Sequence, residues 1–326
     1  MLKITSPSNL SSFDRPALFR ISGTEPSADA HTAVDAILED ADTGAVLATR
    51  RLHLDADASA IFDVAPILQR AMTIRLTGGP TGLAAADDST FRVRMRVGAA
   101  VSDTVALLCT LPARNALSCI TSMPQQRTIR YGESDRLLFY CLSDFTVTIT
   151  AVSDDGQTDV REYMWTGDGG LVTLRLRTSD FAPATSRITI SANRMTVAEY
   201  DVESSDSDAL RLAWRTRSGS VEHYTFPVVA RRTAVSGNRT VRLADGTCTV
   251  TGECHTQIVA RSQYEAEETV AALAGIVTSP QVWAEDEAAG GYVSVVVETQ
   301  QVTTRSFGEP SNVELTVRPS QNGVML

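Results

Sequence analysis

The side chains of this chain best suited to chemistry are four histidines, five cysteines and scattered carboxylates, and their spacing argues against most of what they could do. His31, His53, His223 and His255 fall in no His-x-x-x-His or His-Glu-x-x-His spacing that would turn two nitrogens onto one metal. The chain lacks a Gly-x-Ser-x-Gly elbow, a phosphate-binding Walker loop and a dinucleotide glycine fingerprint. Glu222 and His223 are neighbours, but adjacent residues of a strand point to opposite faces, so they make no dyad without a bulge. Asp154 and Asp155 sit in a turn. A glycoside hydrolase would have to bring two carboxylates from distant strands to face each other across a groove. No catalytic, cofactor-binding or metal-ligating residue is assigned, and the chain reads as a non-enzyme with no cofactor.

Cys109, Cys119, Cys141, Cys248 and Cys254 are too few and too irregular for a disulfide framework. Cys141 lies in the apolar run Leu137–Leu142 and reads as a small buried hydrophobe. Cys248 and Cys254 flank Thr249-Val250-Thr251-Gly252-Glu253, which as a tight hairpin would bring the sulfurs together. With His255 they give three metal-ligand candidates where zinc takes four, so an optional disulfide and plain thiols are the other readings. The overall balance favours a reducing compartment.

Positioning such groups is the task of the surrounding elements, and composition bounds these. The chain has 326 residues, 43% apolar and 21% charged, enough to bury real cores over about two or three domains. Thirty-nine acids against 29 bases give a net charge of −10, which argues against direct nucleic-acid binding or attraction to anionic lipid. No apolar window is long enough for a membrane-spanning helix, and the first residues show no secretory h-region.

The pattern is one of strands with a turn signal every ten or so residues. Ala33–Leu38 and Ala45–Thr49 bracket a turn at residues 39–44, and Phe91–Val97 alternates apolar residues with Arg92, Arg94 and Arg96, a solvated sheet face. Asp155-Gly156 follows the alternating run 145–152 as a hairpin signal. The acidic, serine-rich stretch 203–208 reads as a linker. One amphipathic helix is expected at 263–277: Ser262 and Glu265 form a capping box, Val270, Leu273 and Val277 recur at helical spacing, and Pro280 stops it. The fold class is therefore mainly β, with tandem β-sandwich-like domains at 1–110 and 111–205 and a β-rich C-terminal domain at 206–326 carrying the helix.

Aromatic residues make up 6% of the chain, so no sugar-stacking platform is advertised. Trp165, Trp214 and Trp283 sit among apolar neighbours and read as core. The segment 210–226, a strand ending in Trp214 that leads through a Gly219 turn into an acidic, aromatic strand, resembles a recurring signature of β-rich structural proteins of Bacteroidetes phages and prophages. Residues 272–283, a helix followed by Ser279-Pro280 and Trp283, resemble the element that follows it there, as do residues 6–19 and 62–68. Thr216 and Arg217 stand where that pattern favours Asn. The resemblance implies a virion component of the tail or baseplate, made and assembled in the host cytoplasm. Its partners would be copies of itself, as an oligomer or ring, and other virion proteins. Trp214, Tyr224, Phe226 and Trp283 are its candidate interface or core residues. The alternatives are a β-sandwich module that binds a glycan or host surface, and a cryptic glycoside hydrolase.

Overall fold

Alternation explains the first sheets of the molecule, a computed structural model that describes residues 2–23, 33–76, 78–110, 116–167, 169–204, 209–236, 239–244, 246–250, 254–286, 291–303 and 310–320. In Thr90–Val97 the side chains of Val93, Met95 and Val97 point inward and are buried. The alternating arginines face out and are matched by acids on neighbouring elements: Arg94 and Arg96 flank Glu39, and Arg92 reaches Asp42. Ala33–Asp40 and Val46–His53 pair antiparallel around the expected turn, where the Asp40 carboxylate accepts the amides of Asp42 and Thr43. This sheet packs on a three-stranded one, Leu2–Thr5, Leu18–Gly23 and Ser59–Asp63, around Phe13, Phe19, Phe62 and Leu107. A short helix not expected from the sequence, Ala65–Ala71, carries Pro66 in its first turn and buries Leu68 beneath this core.

The middle of the chain forms a sandwich. Five strands, in the order Gln126–Arg130, Met195–Glu203, Thr185–Ala192, Phe145–Ser153, Thr158–Trp165, face a sheet containing Leu117–Ile120, Ser134–Cys141 and Gly170–Arg177. The fourth strand of that second sheet, Gly82–Ala85, comes from the first third of the chain and pairs with Gly170–Arg177. Phe139, Val147, Ile149, Leu174, Ile190 and Tyr200 fill the space between the sheets. The Asp155-Gly156 turn closes as expected, with Gly156 at φ +82, a conformation that suits a residue without a Cβ. Of the expected linker, residues 205–208 lie outside the described residues.

The C-terminal module is one antiparallel sheet of seven strands, in the order Val221–Phe226, Leu210–Arg215, Val282–Asp286, Gly291–Val297, Glu314–Pro319, Cys254–Arg261, Val228–Ser236. The helix lies against it, with Val270, Leu273 and Ile276 buried on the core that holds Trp214. Its start differs from expectation. The helix spans Glu267–Thr278, with Ala266 at the N-cap and no side-chain cap. The two residues of the expected capping box are bound elsewhere: Ser262 Oγ accepts the Val313 amide, and Glu265 Oε1 accepts the Tyr224 hydroxyl at 2.6 Å. Glu267 and Glu268 in the first turn favour the positive end of the helix dipole instead.

Trp214 is fully buried between the helix and the sheet. Trp214→Ala should therefore lower stability by about 3–5 kcal/mol, read as a shift of the denaturant midpoint with an unchanged slope; a shift below about 1 kcal/mol would refute that packing role.

Candidate functional site

A network of buried polar side chains lies at the joint between the middle sandwich and the C-terminal sheet. The strands Gln126–Arg130, Ser134–Cys141 and Met195–Glu203 supply Arg127, Asp135 and Tyr200 from one side. Val221–Phe226, laid against them, supplies Glu222 and His223 from the other. All five side chains are buried. Arg127 Nη1 lies 3.5 Å from Asp135 Oδ2 and 4.0 Å from Glu222 Oε2, and its guanidinium sits over the Tyr200 ring. Its remaining N–H groups donate to Pro124 O and Thr121 Oγ1. Asp135 accepts the Tyr200 hydroxyl at 2.8 Å, and Glu222 accepts Thr121 Oγ1, the Ser122 amide and Ser220 Oγ. His223 Nδ1 is 2.8 Å from Asp135 Oδ1, and its ring meets Tyr292 edge-on.

A second buried arginine crosses the same joint. Arg211 Nη1 donates to Glu133 Oε2 at 2.9 Å and to Thr225 Oγ1, while Nη2 donates to Ser134 O. Thr225 in turn donates to Glu133. Neither arginine stands out in the sequence, because charged residues in an alternating strand read as its solvent face. The one available signal is positional: Arg211 and Arg215 flank Leu212, Ala213 and Trp214 in a strand that is buried along its whole length.

Each carboxyl here shifts by a balance of burial against charge. Burial works to raise Asp135, but His223, Arg127 and Arg211 outweigh it and hold the carboxyl below the usual carboxylate range. Burial raises Glu222, with Arg127 opposing. Burial lowers His223, with Asp135 pulling the other way. The thiols are quiet: burial pushes Cys109 and Cys119 up to about 12, which leaves almost no thiolate at neutral pH.

Beside this network runs a cleft of about 390 Å³ whose walls carry Asp201 and Glu203 on one side and Glu265 and Glu268 on the other, with Arg127 and His223 on its lining. Carboxylates of the strand Met195–Glu203 and of the residues that lead into and begin the helix thus line one cleft. Glu222 and His223 do not form a dyad; each is bound to a different partner.

The other candidate residues fall elsewhere. Trp214 and Phe226 are in the core of the C-terminal module, and Tyr224 packs edge-on against Phe226. Trp283 is buried with Ile74, Ala213 and Val221, where the first third of the chain meets the C-terminal sheet. Trp165 is half-buried at the end of the sandwich core. Cys248 stands opposite Val241 in a two-stranded hairpin, and the backbone of Cys254 stands opposite Ser236 in the large sheet. The Cys254 side chain, and with it the possible disulfide to Cys248, lies outside the described residues, as does His31. Among the described residues no group of three or more metal-ligating side chains comes together.

No family model matches the chain, and no curated protein does. Among solved structures the chain is similar to bacterial alpha-2-macroglobulins. The native conformation of the Escherichia coli protein shares 9% identity at TM-score 0.21, over 80% of this chain and 21% of that one. The trypsin-activated form shares 10% at TM-score 0.22 over 97% and 21%, and a Salmonella alpha-2-macroglobulin reacted with methylamine shares 14% at TM-score 0.21 over 97% and 20%. The chain spans about a fifth of those chains. Similarity at this level carries no argument about function.

The His223 shift has a measurable consequence. The folded chain binds this proton less readily than the unfolded chain, so the contribution of His223 is fully present above the ordinary imidazole value of about 6.5 and is lost as pH falls below it. Asp135, shifted down, loses its contribution only below about 3.9, and Glu222, shifted up, acts in the opposite sense around its own titration. Thermal unfolding between pH 7.5 and 5.5 should show a fall in Tm that His223→Asn flattens while leaving the strongly acidic loss in place. An unchanged slope in the variant would rule out His223 as its source.

Proposed function

We propose that this chain is a structural component of a phage virion, from the tail or baseplate region. It is made and assembled in the host cytoplasm and acts through contacts with copies of itself and with neighbouring virion proteins, not through catalysis or direct nucleic-acid binding. The observation that supports this reading most strongly is the use to which the buried charges are put. Arg127, Asp135, Glu222, Arg211 and Glu133 bind one another and the backbone across the joint between two β modules, and so fix their relative orientation. A part that transmits geometry through a particle needs that. The motif resemblance of residues 210–226 supplies the particle.

Mass spectrometry of purified phage particles from a host carrying the gene should recover the chain at a fixed ratio to the tail proteins, and antibody labelling should mark the tail end. Recovery in the soluble lysate alone, with particles complete without it, would overturn the proposal.

The cleft favours a second reading, binding of a hydroxyl-rich glycan of the host surface, because carboxylates on both walls and the side-chain amides of Gln126 and Gln263 offer acceptors and donors together. A glycan array followed by calorimetry tests it. Binding that Glu203→Gln and Glu268→Gln abolish would establish it, cleavage of the bound sugar would move the reading to a hydrolase, and no binding to any arrayed glycan would end it.

A further inference from the structure

Self-assembly requires a surface, and the middle sandwich offers one that matches itself. Thr158–Trp165 is the last strand of its five-stranded sheet. Among the described residues it pairs in a ladder only with Phe145–Ser153, in eight consecutive registered pairs without a bulge, while Gly82–Ala85 of the facing sheet approaches it, with Gly82 beside Tyr163. Proteins ordinarily blunt such an edge with bulges, prolines or charge, because its unpaired amides and carbonyls accept another strand. Here the strand has neither bulge nor proline, and its outward residues include Val160, 57% exposed, and Met164, 70% exposed.

The charges on the strand favour one register. Asp159 and Arg161 lie on the core side of the rim, bonded to each other through Oδ2 and the guanidinium, with Arg161 stacked 4.4 Å over the Phe181 ring. A second copy laid antiparallel about a two-fold axis must oppose residues of the same face. With the axis at Val160, each Asp159 meets the other copy's Arg161, each Thr158 meets a Glu162, and the two valines meet at the centre. Axes at Asp159, Arg161 or Glu162 bring like charges face to face, which is unfavourable for directly opposed pairs. The comparable free edge of the N-terminal sheet, Val46–His53, carries Arg50 and Arg51 and no carboxylate, so it offers a second copy no such match.

We propose that two copies of this chain associate through Thr158–Trp165, antiparallel about Val160, joining two five-stranded sheets into one of ten. This rests on the assembly reading above and names its self-contact.

Sedimentation velocity over a concentration series tests it on the full chain. The wild type should dimerise, and Asp159→Arg or Arg161→Asp alone should weaken dimerisation roughly tenfold or more, since each sets like charges opposite one another twice per dimer. An equimolar mixture of the two variants should recover a heterodimer, because every facing pair is then opposite in sign, and the double reversal within one chain should recover the homodimer. Circular dichroism checks that each variant is folded. Independently, Val160→Cys, with the exposed Cys248 changed to Ser, should form a disulfide-linked dimer under mild oxidation, as opposed residues of paired strands stand within disulfide reach. If the wild type associates but charge reversal and the Val160→Cys link have no effect, this contact is wrong and the assembly reading stands. If the wild type stays monomeric at high concentration, the contact fails and self-association fails with it.

Discussion

A guanidinium taken out of water has to be surrounded, and the joint between the middle and C-terminal modules is organised by that requirement at Arg127. The bare cost of burying such an ion is several kcal/mol even after relaxation. It is offset here by carboxylates from two modules, a backbone carbonyl, a hydroxyl and an aromatic face. The hydrogen bonds to Pro124 O and Thr121 Oγ1 are directional, while Nη1 meets Asp135 and Glu222 as ion pairs without a hydrogen bond. A rotation of one module against the other would strip Arg127 of Glu222 while leaving Asp135, and would expose a half-matched buried charge. Arg211 repeats the device a short distance away with Glu133 and the Ser134 carbonyl. Replacing such a network by apolar residues is often neutral for stability, so its value to this fold lies in setting one orientation.

The three seams use different physics. The first third of the chain joins the middle sandwich by lending it a strand, Gly82–Ala85, and Leu138, Tyr140 and Leu171 of the sandwich in turn complete the first core. It joins the C-terminal sheet through a small apolar cluster around Trp283, with Arg215 donating to Met72 O. There Gly219, at φ +81, lies so close to Cys109 that a Cβ would collide with the thiol. A shared ladder, a shared core and an ionic joint thus lock the three modules pairwise, and the cleft beside Arg127 is what remains where the third joint does not close.

How far the sequence reveals this depends on the range of the interaction. Strands such as Thr90–Val97 and Phe145–Ser153 are legible because inside and outside alternate residue by residue, and the turn at Asp155-Gly156 because its backbone needs a positive φ. The helix is legible from Val270, Leu273 and Val277, but not its first turn: the capping-box residues Ser262 and Glu265 have long-range competitors in Val313 and Tyr224 that a local pattern does not contain. The site is the least legible part. Arg127, Asp135 and His223 are separated by up to 96 positions and share no spacing. Pairwise they look like ordinary surface residues, and only the sheet order turns them toward one another. Glu222 and His223 illustrate the limit: reading them on opposite faces is right, yet in a strand covered on both sides both faces are interior.

The edge and the joint pose one physical problem at two sites. A free strand edge accepts almost any other strand, which endangers a protein that must remain soluble before it assembles. Charges placed on the edge restrict that promiscuity. Asp159 and Arg161 oppose the alignments centred on either of them and favour the one in which each meets the other's opposite, so in the proposed contact the two side chains that guard the edge would also choose its partner. Inside the molecule, Arg127 between Asp135 and Glu222 applies the same logic to the modules. In both places an ion pair contributes little net stability and much geometry, because an unmatched charge costs more than a matched one gains. A chain that joins its own modules by matched charge would, through the proposed self-contact, meet its copies in the same way, and an assembly built from such contacts would inherit its shape from the alignments in which no charge is left alone.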